Sequence, residues 1–279
     1  MRIPFSVFLM PIYWFALLDS NVDWWSVALV FIILHLLVYP ASNGYNSYFD
    51  RDEKSIGGLK SPPKVTRELW YLVIAFDLIA VLLALTVNLI FAVMVAVYLL
   101  VSKAYSYDKI RLKRYPVLGA LTVIIFQGFF TFLAVRAGTE TNFMLTPDVI
   151  GRAAVSSLFL LGSYPMTQIY QHEEDAAHGD LTLSMMLGIN GTFIFSSVIF
   201  FISTLVICFL FYINREWINI LVFLTVMLPV GIYFMKWHND FRKKGREVIT
   251  FERTMRLNAM SSLLLSVAFI LMLALERLI

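Results

Sequence analysis

Cysteine is almost missing from this 279-residue chain: Cys208 stands alone inside an apolar run. That excludes a disulfide framework or a cysteine-built metal site within one chain. Charge is scarce as well, at 15% of residues, where a soluble domain of this size carries about 25%. The shortage argues against a water-soluble single-core protein, and an apolar content of 59% excludes disorder. Net charge is only +3, too small a bias to imply a nucleic-acid partner. Gly57-Gly58-Leu59-Lys60-Ser61-Pro62-Pro63 lacks the spacing of a phosphate-binding loop. His172, His178 and His238 fall without the spacing of a zinc site.

What the chain has is long apolar runs. Nine are candidates to span a bilayer: Ile3–Leu18, Trp24–Ala41, Leu69–Thr86, Leu89–Ala104, Val117–Ala134, Ile150–Tyr170, Met185–Phe211, Ile218–Met235 and Met260–Leu275. Several are longer than the strands of a membrane barrel. In hydrocarbon, backbone polar groups need internal partners, so the runs are expected to be helices. No small-x-small cleavage site follows the first run, only Asp19-Ser20-Asn21, so it is read as a retained helix rather than a signal peptide. Nine spans place 18 of the 22 Lys and Arg residues on one side and leave Arg136, Arg152, Arg215 and Arg277 on the other. The positive-inside rule then sets the N-terminus in the cytoplasm and the C-terminus outside; the membrane expected is a bacterial or archaeal cell membrane, with an organelle's the alternative.

Two segments echo each other at an offset of 125 residues, Tyr39-Pro-Ala-Ser-Asn-Gly-Tyr-Asn-Ser-Tyr-Phe-Asp50 and Tyr164-Pro-Met-Thr-Gln-Ile-Tyr-Gln-His-Glu-Glu-Asp175. In each, polar residues recur at steps of 4, 3 and 4: Tyr39, Asn43, Asn46 and Asp50, then Tyr164, Gln168, Gln171 and Asp175. At 3.6 residues per turn each set lies on one helix face. Pro40 and Pro165 should kink both helices just before their polar ends. The expected fold is therefore an all-α membrane protein, a bundle of nine transmembrane helices built as two parallel four-helix units plus one, forming a single domain over residues 1–279. Amides and tyrosines can simply glue membrane helices together. Two matched stripes ending in acids point instead to a site at the cytoplasmic rim.

Oxygen donors on two helices suit Mg²⁺, which binds through one or two carboxylates plus substrate phosphates. The carboxylates are Asp50, Asp52 and Glu53 on one side and Glu173, Glu174, Asp175 and Asp180 on the other. The basic loop Tyr105-Ser-Tyr-Asp-Lys109-Ile-Arg111-Leu-Lys113-Arg114 lies between them in sequence. Topology explains most of its charge, and Tyr105, Lys109 and Arg111 rise above that. Acids for a cation and bases for an anion describe a metal–diphosphate site, over a bundle apolar enough for a hydrocarbon tail. Asp77 and His35 are intramembrane candidates for a proton acceptor, although a structural hydrogen bond is the more ordinary role for each.

These motifs resemble those of the UbiA superfamily of intramembrane prenyltransferases, which carry N-D-x-x-D-x-x-x-D after helix 2, Y-x-x-x-K after helix 4 and D-x-x-x-D-x-x-x-D after helix 6. Here the first reads Asn46-Ser47-Tyr48-Phe49-Asp50-Arg51-Asp52-Glu53-Lys54. The second is Tyr105-x3-Lys109, and the third Thr167-x3-Gln171-x3-Asp175, followed by Gly179-x-x-Thr182-Leu183. The resemblance implies a catalytic set of Asn46, Asp50, Asp175 and Lys109, with Mg²⁺ on Asn46, Asp50, Glu173 and Asp175. It implies a diphosphate held by Tyr105, Lys109, Arg111, Lys54, Asn43, Gln168 and Gln171. The substrates implied are a polyprenyl diphosphate and an aromatic or other lipophilic acceptor such as a lipid-quinone precursor, with membrane lipid the surroundings and no obligate protein partner. Ser47, Lys54, Thr167 and Gln171 replace acids of the family pattern. One metal ion is then expected to be dispensed with, Lys54 pairing with the diphosphate or with Asp52 or Glu53. Two other readings stay open. A terpene cyclase would let the substrate's own double bond capture the cation, and a lipid-binding or transport protein would also show repeats with proline-interrupted helices.

Overall fold

The computed structural model describes residues 1, 3–51, 55–177 and 179–278. Lys54, Asp52, Glu53 and His178 therefore lie outside the described residues. Among the described residues there is no β-strand, and eight helices are long and apolar enough to cross a membrane. They are α2 (Trp24–Asp50), α3 (Arg67–Val87), α4 (Leu89–Ser106), α5 (Pro116–Thr139), α6 (Pro147–Gln168), α8 (Leu183–Ile213), α9 (Trp217–Lys244) and α10 (Phe251–Glu276). A shorter apolar helix, α1 (Phe5–Ala16), precedes them, and α7 (His172–Ala177) is a short, acid-rich piece after α6. The first run thus forms a helix shorter than the others. Its opening turns, Ile3–Leu9, are wound as a 3₁₀ helix, whose larger rise per residue extends its reach.

Several helices start where the sequence supplies a side-chain acceptor for orphaned amides. Asp23 accepts from the Ser26 amide at 2.9 Å, Asn88 from Phe91 at 2.8 Å, Thr146 from Val149 at 3.2 Å and Thr250 from Arg253 at 3.3 Å. Large apolar side chains such as Leu205, Phe209, Leu221 and Leu228 face outward from α8 and α9, as lipid requires. Trp24, Trp25, Tyr212 and Trp217 are exposed at the end of the bundle opposite the basic loops, where an aromatic belt belongs. The core closes around α1. Phe15 stacks on Phe269 at 4.7 Å and meets Phe132 edge-on at 5.4 Å.

Pro40 follows a change of winding in α2. It cannot donate to the preceding turn, and α2 widens into a π-helical segment, Ile33–Val38, immediately before the polar stripe. Around Pro165 the outcome differs. The helix continues through the proline and ends at Gln168, and a new helix begins at His172. The second stripe is therefore not one helical face, and its last residues reach the rim through a turn. A second π segment, Ile124–Phe130, interrupts α5, where Ser157 of α6 donates to the Ile124 carbonyl at 2.8 Å and accepts from the Phe129 amide at 2.9 Å.

Arg136 and Arg152, counted in the sequence as charges of the opposite side, are buried inside helices rather than free in loops. Arg152 donates to Asp148 at 2.7 Å and to Glu216, which joins α6 to the start of α9. Arg136 donates to the carbonyls of Leu18 at 2.8 Å and Asp19 at 3.2 Å, tying α5 to the end of α1. Removing one partner of a buried charge network strands the others. Arg152→Met is expected to cost about 3 kcal/mol or more of stability, read as a lowered thermal midpoint of the detergent-purified protein. An unchanged midpoint would show that the network does not hold the bundle.

Candidate functional site

At the end where the basic loops gather, the bundle opens into a cavity of about 730 Å³. Its lower walls are Phe8, Phe15, Phe126, Phe159, Phe200, Phe223, Phe234 and Phe269, and its rim is polar. The repeat delivers matched residues to that rim. Asn43, Asn46 and Asp50 come from α2, and Tyr164, Thr167, Gln168, Gln171 and Asp175 from α6, its turn and α7. Tyr105 joins them from α4, its hydroxyl 3.0 Å from that of Tyr164. Ser106 donates to the Asn46 side-chain carbonyl at 2.7 Å, leaving the Asn46 amide nitrogen as the end not held by that bond.

The centre of the rim is ionic. Lys113 lies between Asp50, with which it makes a short ion pair, and Asp180, whose Oδ2 is 3.6 Å from the ammonium. Arg111 grips Asp180 with two N–H groups at 3.1 and 3.2 Å and approaches Asp50 at 3.9 Å. The Asp50 and Asp180 side chains are only 6% and 8% exposed, so these charges depend on one another rather than on water. The bonds to Asp180 raise the guanidinium pKa above its ordinary value despite burial. Arg111 itself stands behind Asp180 and braces it, while Lys113 faces the cavity.

Two local features of the loop produce this. Arg111 takes a left-handed backbone conformation, φ 41°, which turns the chain back into the short 3₁₀ helix Leu112–Arg114. Gly119 then lies directly under the turn, where an added Cβ would be 3.1 Å from the Lys113 Cα and 3.3 Å from the Leu112 carbonyl. Residues 55–57, on the way from α2 to α3, border the mouth. Ile56 and Gly57 line the cavity, and Gln171 donates to the Ser55 carbonyl at 3.1 Å. Lys60 reaches Glu252 at 2.5 Å rather than the cavity. Behind α7, His172 lies 2.8 Å from the Ser184 hydroxyl, and Ser184 donates its amide to Gln168 at 3.3 Å. Burial and nearby Arg246 lower the His172 pKa.

Asn43, Asn46, Asp50, Tyr105, Gln168, Gln171 and Asp175 thus converge as expected. Three residues do not, the first being Arg111, which stands behind Asp180 rather than on the cavity surface. Lys109 is exposed on the outer side of the loop. Glu173 points outward, 86% exposed and 3.8 Å from Arg246, and its neighbour Glu174 lines the cavity instead. Lys54 lies outside the described residues. Sequence reasoning set Lys113 aside as topological charge and left Asp180 out of the ligand set. The signals were the Arg-x-Lys spacing in a short loop and the Gly179-Asp180 pair just before the Thr182 cap. Asp77 pairs with Lys103, and His35 Nδ1 lies 3.3 Å from the Phe31 carbonyl. Neither lines the cavity, so both have structural partners.

Among the described residues no group of three or more His, Cys, Asp or Glu is arranged to hold a metal ion by itself. The cavity acids nevertheless offer only oxygen, and Asp50 and Asp180 already enclose a cation in the Lys113 ammonium. The donor set fits a hard divalent ion that completes its shell from a bound anion and water.

Residues 8–263 match the model of the UbiA prenyltransferase family. A search of curated protein sequences gave no match. Among solved structures, an apo UbiA homologue from Aeropyrum pernix K1 is similar at 18% identity and TM-score 0.71, over 97% of this chain and 98% of that one. A UbiA homologue from Archaeoglobus fulgidus bound to GPP and Mg²⁺ is similar at 16% identity and TM-score 0.67, over 97% and 96%. A digeranylgeranylglyceryl phosphate synthase is similar at 19% identity and TM-score 0.62, over 96% and 92%.

An alanine inside a helix normally stabilises by about 1 kcal/mol relative to glycine. At Gly119 the added methyl meets backbone, so Gly119→Ala is expected to lower the thermal midpoint. A raised midpoint would show that the Lys113 turn does not need the close approach.

Proposed function

Because the chain belongs to the UbiA prenyltransferase family, we propose that it transfers a prenyl group from a polyprenyl diphosphate to a lipophilic acceptor within the membrane, using Mg²⁺. The observation that carries this reading is a cavity with an ionic rim of Asp50, Asp175, Asp180 and Lys113 above an aromatic shaft. A diphosphate head and a hydrocarbon tail need those two environments side by side. We place the rim on the cytoplasmic side, where the positive charges gather.

Asp50 and Asp175 would hold Mg²⁺, with the second lone pair of the Asn46 side-chain oxygen beside its bond from Ser106, and the ion when bound would supply positive charge to the leaving diphosphate. Lys113 meets the same oxygens from the loop, and Arg111 keeps Asp180 in place. The Tyr105 and Tyr164 hydroxyls lie at the boundary between rim and shaft, where they can donate to the bridging oxygen. The allylic C–O bond breaks, its electron pair leaves with the diphosphate, and an allylic cation remains. Aromatic faces of the shaft stabilise it and keep water away. The acceptor adds its electron pair to the cation and, where it is an aromatic ring, loses a proton to restore the ring.

The test supplies the purified full chain with a labelled prenyl diphosphate and Mg²⁺, with and without a membrane lipid extract. A prenylated product that appears only with extract supports transfer. A hydrocarbon or alcohol formed without extract would replace it with cyclisation, and absence of diphosphate release would leave a binding or transport role. Asp50→Ala and Asp175→Ala are each expected to lower turnover at least about a hundredfold, with the thermal midpoint checked in parallel.

A further inference from the structure

We infer that Asn258 of α10 binds the acceptor, and that the head it recognises is an uncharged, hydroxyl-bearing group rather than a carboxylate. The inference rests on the proposed transfer reading and deepens it by naming the class of acceptor. A polar side chain within a membrane-spanning helix either bonds to protein around it or serves a site. Most hydroxyls on the cavity wall take the first course. Ser42 pairs with Ser102, Tyr105 with Tyr164, Ser163 with the Leu160 carbonyl at 3.3 Å and Ser262 with the Phe8 carbonyl at 3.4 Å. Asn258 lines the same cavity, and among the described residues no hydrogen bond holds its carboxamide. An amide left dry and unpaired costs free energy, so its partner comes from what fills the cavity.

Placement gives the amide its role. Asn258 shares a stripe of α10 with Met255, Ser261, Ser262, Leu265 and Phe269, all on the cavity at helical spacing. Met255 marks the mouth, its sulfur 3.3 Å from the Gly58 amide, and Leu265 and Phe269 belong to the apolar shaft. At 1.5 Å per residue, Asn258 lies about 10 Å into α10 from its cytoplasmic end, and Tyr164 about 6 Å from the same end of α6. The amide thus faces the level beneath the tyrosines, where a diphosphate seated on the rim leaves its allylic carbon. The chemistry of this wall selects the head group. The Ser261 hydrogen is spent on the Leu257 carbonyl at 2.8 Å, so its oxygen is left to accept. Beside it the carboxamide both donates and accepts. Such a pair suits a phenol or an alcohol, whose hydroxyl needs an acceptor for its hydrogen and a donor for its oxygen. A carboxylate has no hydrogen to give and would meet the Ser261 oxygen. Among the described residues, α1 and α10 place no charged side chain on the cavity, so an anion at this wall would be left unpaired.

The test compares three competitors of similar size. Transfer from a labelled prenyl diphosphate to a membrane lipid extract is measured with the purified full chain and Mg²⁺, in the presence of 2-naphthol, its methyl ether or 2-naphthoate. 2-Naphthol is expected to inhibit at a concentration about tenfold or more below the other two, because a site built to bond a hydroxyl rejects the capped or ionised analogue. Asn258→Leu keeps the volume and removes the amide. It is expected to erase that preference while the KM for the prenyl diphosphate and the thermal midpoint stay unchanged. Equal inhibition by all three, strongest inhibition by 2-naphthoate, or a preference that survives in Asn258→Leu would overturn the inference and leave prenyl transfer standing. A wild type that releases no diphosphate in the presence of the extract would overturn both. The wild-type ranking decides the question even if Asn258→Leu fails to fold.

Discussion

Carboxylates buried at the edge of a hydrocarbon-filled bundle must be neutralised, and this constraint shapes the functional end of the molecule. Asp50 and Asp180 are each less than a tenth exposed. Leaving either unpaired in such a place costs several kcal/mol. The Arg111–Lys113 turn supplies the balancing charges, and the details around it follow. A non-glycine residue adopts a left-handed backbone, a 3₁₀ turn replaces a longer helix, and α5 approaches so closely that a Cβ on its fourth residue would crowd the loop backbone. The same neutralisation keeps the acids available to a cation and the bases available to an anion, which an apolar wall could not do.

The opposite end obeys the same rule with a different result. Arg136 and Arg152 are buried among Glu140, Asp148 and Glu216 and the carbonyls of residues 18 and 19, on no cavity surface. Their charges are used up in joining helices, closing one end of the bundle. At the rim, the charges face a cavity and have room to exchange partners. Buried ion pairs as such do not distinguish a site from a clamp. What distinguishes them is whether the paired groups share a surface with empty space.

The bundle was legible because hydrophobic length is a strong signal: each long run became a helix, and the stripe on α2 appeared where its spacing put it. The second stripe was legible in destination but not in path. Its 4-3-4 spacing suggested one face, yet the helix ends at Gln168 and the remaining residues arrive through a turn and α7. Matching one segment to the other identified residues that converge, although only one of them converges by helical geometry. The outward Glu173 and inward Glu174 show the cost of that turn, since one residue of register decides which acid meets the cavity. The basic loop was least legible. Lys109, Arg111, Lys113 and Arg114 look alike in a charge count. Only the backbone at Arg111 and the contact with Gly119 separate the inward Lys113 from the exposed Lys109 and Arg114.

The departures from the aspartate-rich pattern fit this picture. A loss of acids would weaken a site whose function depended on the number of carboxylates. It is tolerated if function depends on the net field met by a diphosphate, because removing negative charge and fixing a positive charge act in the same direction. Thr167 and Gln171 keep hydrogen-bonding groups on the cavity surface while giving up charge, and Lys113 restores cationic character from the facing loop. Presenting a positive charge to the cavity in this way needs a stiff loop, because a lysine fixed by its backbone loses little freedom when an anion binds, whereas one on a mobile loop loses most of the gain to ordering. The strained turn at Arg111 and the packed glycine beneath it supply that stiffness.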